Sequence, residues 1–298
     1  MPVHTVEQGE HLSSIAAKYG FQKVATIWDH PDNAGLKSKR KNPHILLPGD
    51  KVVIPEGERG FYDEQVVYLP NSYQVNDRKR EIAQHVPSRA ALGLPVNGFV
   101  FCNFNQSYKI TPAQFESWMR ILRAVPGSVL WLLSSKPPFG ANLSKAAQQS
   151  GIAPERLIFA PSLAPDQHLA RLKQADLFLD TLPYNAHTTA SDALWAGVPL
   201  LTCRGTTFPG RVAASLLGAA GLPDLATESP QSYEDRAIAL AHDRATLAQL
   251  KERLEHNRLT CPLFDTDLFR KNIESAYCAM WRAWNKGEPP RSFSARPD

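Results

Sequence analysis

Residues Arg156 to Thr202 read RLIFAPSLAPDQHLARLKQADLFLDTLPYNAHTTASDALWAGVPLLT, and this stretch decides the fold. Short apolar runs (RLIFAP, DLFLD and the PLLTC that closes at Cys203) alternate with polar segments that carry apolar residues at helical spacing. Such alternation is typical of parallel strands covered by helices. The stretch therefore predicts an α/β fold with a Rossmann-like parallel sheet.

The same alternation extends upstream to Phe99, where the runs are FVFCNF and SVLWLL. Between these runs, Thr111 is a predicted N-cap and Pro112 occupies the first helical position. The helix ends before Pro126-Gly127. Aromatic side chains within helical stripes or apolar strands are more often core than sugar platforms, so core packing is predicted for all four tryptophans of this kind: Trp118, Trp131, Trp195 and Trp281.

Helix starts after the strands predict where a ligand binds. Asp166 is a candidate cap for the helix that carries His168 and Arg171, and His187-Thr188-Thr189 opens the next one. Ligands of open α/β sheets bind at the carboxyl ends of the strands, where helix N-termini favour phosphate. No GxGxxG follows any strand, which argues against an NAD-dependent dehydrogenase.

The first 57 residues follow a different pattern. His4 to Gln8 and Lys51 to Ile54 are predicted strands, and Ser13 to Tyr19 is a helix closed by Gly20, within a strand-helix-helix-strand (βααβ) unit. The predicted buried stripe comprises Leu12, Ile15, Ala16 and Tyr19.

The segments HTVEQGEHLSSIAAKYGF and LLPGDKVVIP together resemble a LysM module. That resemblance implies binding of glycans that contain N-acetylglucosamine, such as peptidoglycan. The longer central segment IWDHPDNAGLKSKRKNPH departs from the usual pattern, so a structural or adaptor role stays equally open.

The larger part of the chain carries a second resemblance. CNFNQSYKITPAQFESWMRILRAVPGSVLWLL, the block HTTASDALWAG, and then GRVAASLL, CPLFDT and MWRAW resemble the C-terminal catalytic lobe of the O-GlcNAc transferase family and its bacterial relatives. The resemblance implies the nucleotide-sugar half of a two-lobe (GT-B type) glycosyltransferase. It also implies inverting, metal-independent transfer of N-acetylglucosamine from UDP-GlcNAc to serine or threonine of a protein acceptor, with no cofactor.

Residue by residue, the resemblance places Gln106 and Lys109 at the diphosphate, with Lys109 as the catalytic cation. A fixed ammonium stabilises the charge that UDP gains as it leaves. His187, Thr188 and Thr189, at a helix start, are the expected phosphate cradle.

For the nucleoside, the resemblance implies that Asp192 holds the ribose. Ala164 and His168 are expected to contact uracil, with the basic side chain of Arg171 near the nucleotide. His168 and Arg171 are three residues apart and share a helix face. Asp166 stands where many relatives have a lysine.

The predicted domains are a LysM-like module at 1–57, a linker and remnant of the first catalytic lobe at 58–98, and the nucleotide-sugar lobe at 99–298, with the boundary at Glu56 to Gly60. No helical repeat of the TPR type is present. We therefore expect a donor-binding lobe that is weak or inactive alone. The alternative is a non-catalytic UDP-sugar or glycan-binding protein.

The 298 residues carry a net charge of +4, which is too small to indicate a nucleic-acid partner. The basic run Lys37 to Lys41 is predicted to be a solvated helix end. Without a signal peptide or membrane span, a cytoplasmic location with no membrane partner is expected. The cysteines form no CxxC and are predicted to be buried free thiols, with neither disulfides nor a metal site; they are Cys102, Cys203, Cys261 and Cys278.

Overall fold

The computed structural model of the chain describes residues 3–19, 24–54 and 64–295. They form two compact units, one of described residues up to Tyr68 with Met280–Ser294, the other of Leu69–Ala279 with Ala295. The remnant segment predicted at 58–98 therefore belongs mostly to the larger unit. Gly20 and the predicted boundary at Glu56 to Gly60 lie outside the described residues. Within the described ranges, no helix is both long and apolar enough to cross a membrane.

The regular elements are numbered in chain order. They are β1 (Val3–Thr5), α1 (Leu12–Lys18), α2 (Val24–Trp28), α3 (Ala34–Arg40), β2 (Lys51–Val53), β3 (Val67–Tyr68), β4 (Val100–Asn103), α4 (Pro112–Ala124), β5 (Val129–Leu133), α5 (Phe139–Gln149), β6 (Leu157–Ala160), α6 (Pro165–Leu172), β7 (Leu177–Leu179), α7 (Thr188–Trp195), β8 (Leu200–Cys203), α8 (Val212–Ala219), β9 (Ala226–Thr227), α9 (Pro230–His242), α10 (Arg244–Asn257), α11 (Thr266–Asn285) and β10 (Phe293–Ser294).

The larger unit is built on a six-stranded parallel sheet in the order β6-β5-β4-β7-β8-β9. The five predicted strands are confirmed. The sixth, β9, has two residues and no apolar run, so the sequence pattern did not reveal it. Strand order reverses direction between β4 and β7, as in doubly wound folds. The α/β prediction with a Rossmann-like parallel sheet is therefore confirmed.

Burial on both faces explains why these strands are apolar along their length. Every residue of β4, β7 and β8 is buried, as expected for a parallel sheet with helices on both sides. Helix α4 begins where predicted, because the side chain of Thr111 accepts a hydrogen bond from the backbone N–H of Gln114.

Three of the four tryptophans and three of the four cysteines are buried as predicted: Trp118, Trp131, Trp195, Cys102, Cys203 and Cys261. The prediction is wrong for Trp281, which is 64% exposed, and for Cys278. Both lie on α11, where the buried residues are Asn272 and Ala276. The apolar residues near the C-terminal end of α11 therefore do not belong to the core.

In the smaller unit, β1 and β2 pair antiparallel, with Val3 opposite Val53. The predicted stripe on α1 is buried at Leu12, Ile15 and Ala16. It is wrong at Tyr19, which is 38% exposed and whose hydroxyl lies 3.2 Å from Nδ1 of the buried His4. Among the described residues between these strands there are three α-helices, not two, since part of the long central segment forms α3.

The basic run at the end of α3 is only partly solvated. The Arg40 guanidinium donates to both carboxylate oxygens of the buried Asp50, at 2.6 and 2.7 Å, and Lys39 lies 3.2 Å from one of them. These contacts, with that to Arg40 the strongest, hold the pKa of Asp50 well below its usual range. The expectation of a solvated run is therefore wrong for Arg40.

Asn33 ties α2 to β2. Its buried amide donates to the carbonyls of Ile27 and Val53, and its side-chain oxygen accepts from the Val53 N–H at 2.7 Å. Asn33→Ala should lower the free energy of unfolding of the smaller unit by about 2 to 4 kcal/mol, since three hydrogen bonds are lost. Urea denaturation measures the loss, with the exposed Asn42→Ala as the control. Equal stability of the two variants would contradict this assignment.

Candidate functional site

The carboxyl ends of β4 and β7 lie side by side because β4 and β7 pair where the strand order reverses. The chain leaves β4 into residues 104–109 and leaves β7 into residues 180–187, which lead into α7 at Thr188. A crevice at this place in an open α/β sheet is the usual ligand site. The sequence-predicted residues Gln106, Lys109 and His187 all lie on these two loops.

Lys109 is held in place although it carries a charge. Its side chain is 8% exposed, its Nζ donates to the carbonyl of Asn185 at 2.8 Å, and the same atom lies 3.9 Å from the centre of the Tyr184 ring. Burial lowers the pKa of Lys109, and the nearby charge of Asp180 opposes that effect. Since an ammonium has three donors, Lys109 retains donors for an anionic ligand. Gln106, exposed, precedes the short 3₁₀ turn that ends at Lys109.

Helix α7 begins beside Lys109. Thr188 is exposed, while the hydroxyl of Thr189 donates to the side-chain oxygen of Asn105. The first-turn N–H groups of a helix have no partner inside the helix and attract phosphate. The ring of His187 lies 3.3 Å from the carbonyl of Pro209, and burial lowers the pKa of His187, which favours its neutral form. The arrangement offers hydroxyls, N–H groups and one ammonium at a single place.

Asp192 lies one helical turn further along α7 and is paired with a residue that the sequence patterns did not reveal. The guanidinium of Arg80 lies 2.6 Å from Oδ1 of Asp192. Burial raises the pKa of Asp192, and Arg80 opposes the rise. The backbone carbonyl of Arg80 also accepts from the indole of Trp195 at 3.1 Å. Residues 112 positions apart in sequence give no pattern from which this pair could be predicted.

His168 and Arg171 share a face of α6, as predicted, but Arg171 is buried at 1% exposure. Its guanidinium donates to the carbonyl of Pro161 and, through Nε, to Nδ1 of His168 at 3.1 Å. The ring of Phe104, at the end of β4, packs edge-on against His168 with centroids 4.9 Å apart. Burial, followed by the charges of Arg171 and Arg80, lowers the pKa of His168 to about 4. His168 is therefore a neutral ring near neutral pH.

The start of α6 differs from the prediction. Ala164 is the N-cap and Pro165 the first helical residue, so Asp166 falls in the first turn and is not the cap. Proline at the first position fixes the backbone there without requiring a side-chain cap. The carbonyl of Asp166 accepts from the N–H of Ala83 at 3.1 Å. Ala164 is exposed, and its carbonyl accepts from the backbone N–H of His168 at 2.8 Å.

The structure thus brings most of the predicted residues to the carboxyl ends of β4, β7 and β6, of which β4 and β7 are neighbours while β5 separates β6 from β4. Lys109 and His187 meet at the switch point, and His168 joins them through Phe104. Across residues 3–19, 24–54 and 64–295, no group of three or more His, Cys, Asp or Glu side chains is arranged to hold a metal ion. Cationic groups at the site include Lys109, Arg80 and the enclosed Arg171.

Residues 76–273 match Glycosyl transferase family 41. The chain belongs to glycosyltransferase family 41. The family 41 chain is 38% identical over 253 residues to the probable UDP-N-acetylglucosamine–peptide N-acetylglucosaminyltransferase SEC of Arabidopsis thaliana, covering 83% of this chain and 26% of that protein. It is 37% identical over 202 residues to the UDP-N-acetylglucosamine–peptide N-acetylglucosaminyltransferase of Caenorhabditis elegans, covering 68% and 18%. The predicted resemblance to the C-terminal catalytic region of O-GlcNAc transferases is therefore confirmed at the level of the family.

Solved structures agree with this assignment. A mutant O-GlcNAc transferase from Thermobaculum terrenum superposes with a TM-score of 0.61 at 33% identity, covering 72% of this chain and 40% of that one. Anabaena HepE in complex with UDP superposes with a TM-score of 0.53 at 14% identity, covering 70% and 57%, which shows a shared fold alone. The family 41 chain therefore spans about a quarter of the length of the curated Arabidopsis relative and 40% of the Thermobaculum structure.

The buried His168 gives a pH-dependent signature. Its pKa is about 4 in the folded protein and about 6.5 when unfolded, so unfolding takes up a proton as the pH falls below 6.5. Stability from this residue is present above pH 6.5 and is lost towards pH 4. Between pH 7 and 4.5, the free energy of unfolding of the wild type should fall by roughly 1 to 2 kcal/mol more than that of His168→Gln. This figure is discounted for the partial exposure of the ring.

Urea denaturation at the two pH values measures this difference, and other titrating groups cancel between the two proteins. The exposed His256→Gln serves as the matched control and should keep the wild-type loss. If His168→Gln also keeps that loss, the neutral buried ring is contradicted.

Proposed function

We propose that the larger unit binds UDP-GlcNAc and is the donor half of a protein O-GlcNAc-type glycosyltransferase. The observation that carries the proposal is the meeting of Lys109 with the start of α7 at the carboxyl ends of β4 and β7. The names of the Arabidopsis and Caenorhabditis relatives support the choice of UDP-N-acetylglucosamine and of a peptide acceptor. A cytoplasmic location belongs to the same proposal.

The chemistry proposed is an inverting displacement without metal. A serine or threonine hydroxyl of the acceptor attacks the anomeric carbon from one face while the bond to the β-phosphate breaks on the other. UDP gains negative charge as it leaves, and Lys109 with the first-turn N–H groups of α7 stabilises that charge. A preorganised ammonium supplies what a bound cation supplies in other transferases. The base that takes the hydroxyl proton is assigned to the acceptor-binding lobe.

The nucleoside end of UDP is assigned to α6 and to Asp192. The contacts with uracil are assigned to the exposed backbone at Ala164 and to the neutral ring of His168. Arg171 is fully enclosed, so its part in the proposal is to hold His168 through their hydrogen bond. Asp192 accepts from a ribose hydroxyl, and its pairing with Arg80 keeps it ionised for that purpose.

For the smaller unit we propose a LysM-like module that binds an N-acetylglucosamine-containing glycan or acts as an adaptor. The antiparallel β1–β2 pair and the buried stripe on α1 support it. A second function follows from that unit: a protein that binds UDP-sugar or glycan and transfers nothing. The 298 residues by themselves are proposed to bind donor strongly and to transfer weakly or not at all.

Replacement of Lys109 by Ala should weaken UDP binding by about 1.5 to 3 kcal/mol, the typical contribution of a hydrogen bond to a charged group. Titration calorimetry measures this loss, and circular dichroism verifies the fold. Lys173→Ala, an exposed lysine in the same unit, is the matched control and should bind UDP as the wild type does. Wild-type UDP affinity in a folded Lys109→Ala variant would remove the basis of the proposed site.

Sugar transfer separates the two functions. The chain joined to the remaining sequence of the Caenorhabditis relative, in place of the 18% of that protein that it matches, should transfer radiolabelled sugar from UDP-GlcNAc to a peptide mixture, while the chain alone should transfer little. Lys109→Ala in the joined protein should abolish most of the transfer, because leaving-group charge is no longer stabilised. A joined protein that binds UDP-GlcNAc and transfers none would favour the binding function.

A further inference from the structure

A buried carboxylate lies beside the site, close enough for its charge to act on Lys109. Asp180 follows β7 and is 1% exposed. Its Oδ1 accepts from the backbone N–H groups of Thr181 at 2.7 Å and Ala186 at 2.6 Å, and its Oδ2 accepts from the hydroxyl of Thr202 at 2.6 Å. Both ends of the loop 181–186 are therefore tied to a single carboxylate.

Hydrogen bonds also join residues within the loop 181–186 to one another. The hydroxyl of Thr181 donates to the carbonyl of Tyr184 at 2.7 Å and accepts from the amide of Asn105 at 2.8 Å. The amide of Asn185 donates back to the carbonyl of Thr181 at 2.9 Å. These hydrogen bonds fix the backbone at Asn185, whose carbonyl accepts from Nζ of Lys109.

Asn105 connects the same network to α7. Its side-chain oxygen accepts from the hydroxyl of Thr189, in the first turn of α7. Its backbone N–H donates to the side chain of Asn103 at 3.0 Å, and Asn103 in turn donates to the carbonyl of Leu179 at 2.7 Å. The ends of β4 and β7 are thus joined by buried polar groups that reach both halves of the phosphate site.

We propose that Asp180 is a positioning residue that acts through the loop 181–186. By fixing the loop, it sets the place of the Asn185 carbonyl and therefore of the Lys109 ammonium against the diphosphate. The inference rests on the proposed UDP site and deepens it. Asp180 is enclosed by protein, so it touches neither sugar nor nucleotide.

Two effects of Asp180 on UDP binding have opposite signs, and this makes the proposal testable. As a clamp it favours binding, because it preorganises Lys109. As a negative charge near the diphosphate it opposes binding by repulsion. Asp180→Asn removes the charge and replaces one acceptor oxygen by a donor, so a clamp predicts weaker UDP binding and a charge acting alone predicts tighter binding.

The experiment compares UDP and uridine binding to the full chain by calorimetry. Asp180→Asn should weaken UDP binding by about fivefold or more while uridine binding stays within about twofold, because the loop supports only the diphosphate end. Thr181→Val keeps the charge of Asp180 and nearly the volume of Thr181, and should act in the same direction. Thr181→Ser, which retains the hydroxyl, should recover binding.

The matched control is Asp176→Asn at the opposite end of β7. Asp176 is also buried, accepts from the N–H of Val100 and pairs with Arg89 at 2.9 Å, far from the carboxyl ends of the strands. The Asp176→Asn variant should be less stable than the wild type and keep the wild-type ratio of UDP affinity to uridine affinity. If Asp180→Asn does not fold by circular dichroism, Thr181→Val carries the test.

Each remaining outcome is decisive. Tighter UDP binding in Asp180→Asn, or an unchanged ratio in folded Thr181→Val, overturns the positioning role while leaving the UDP site intact. Equal losses of UDP and uridine affinity would show a general structural effect and overturn it too. A wild-type chain that binds neither compound contradicts the proposed function itself.

Discussion

The parallel pairing of β4 with β7 is the constraint on which the site depends. Because strand order reverses between them, the loops that follow these two strands leave the sheet side by side. This is the place where open α/β sheets have their ligand crevice. Lys109 enters this crevice from the first loop. The second loop leads into α7, whose N-terminus supplies N–H groups and a partial positive charge. Neither strand alone would produce an anion site.

A second requirement is that charged groups be held in buried positions by protein hydrogen bonds. Burial disfavours the ionised forms of Lys109, Arg171 and Asp180, and each is stabilised by hydrogen bonds to its neighbours. Burying these charged groups costs free energy, but their hydrogen bonds orient them before a ligand binds. Preorganisation of this kind is what electrostatic stabilisation of a leaving group requires, since no reorganisation remains to be done during the reaction.

Much of the sheet and of its helix starts could be predicted from the sequence. Two-sided burial makes β4, β7 and β8 apolar throughout, and Thr111 with Pro112 marks a helix start by local chemistry alone. Long-range polar pairs leave no such pattern: Arg80 meets Asp192, and Asp180 meets Thr202, only after the sheet has formed. The errors have local causes as well.

The sequence predicts Asp166 as the cap of α6, but Pro165 fixes the first turn and Ala164 is the N-cap. Trp281 has the apolar character of a core residue, yet it lies in the C-terminal part of α11, where none of residues 277–285 is buried. The same limit applies to Arg171, whose enclosure by Phe104 and Pro161 depends on three separate segments. Sequence spacing predicts which residues share a helix face and not which face is buried.

The most direct measurement is a crystal structure of the chain with UDP. The account predicts the diphosphate at the N-terminus of α7, with a phosphate oxygen about 3 Å from Nζ of Lys109, and the ribose beside Asp192. UDP bound elsewhere on the chain, or bound at α7 with Lys109 turned away from the phosphates, would contradict it.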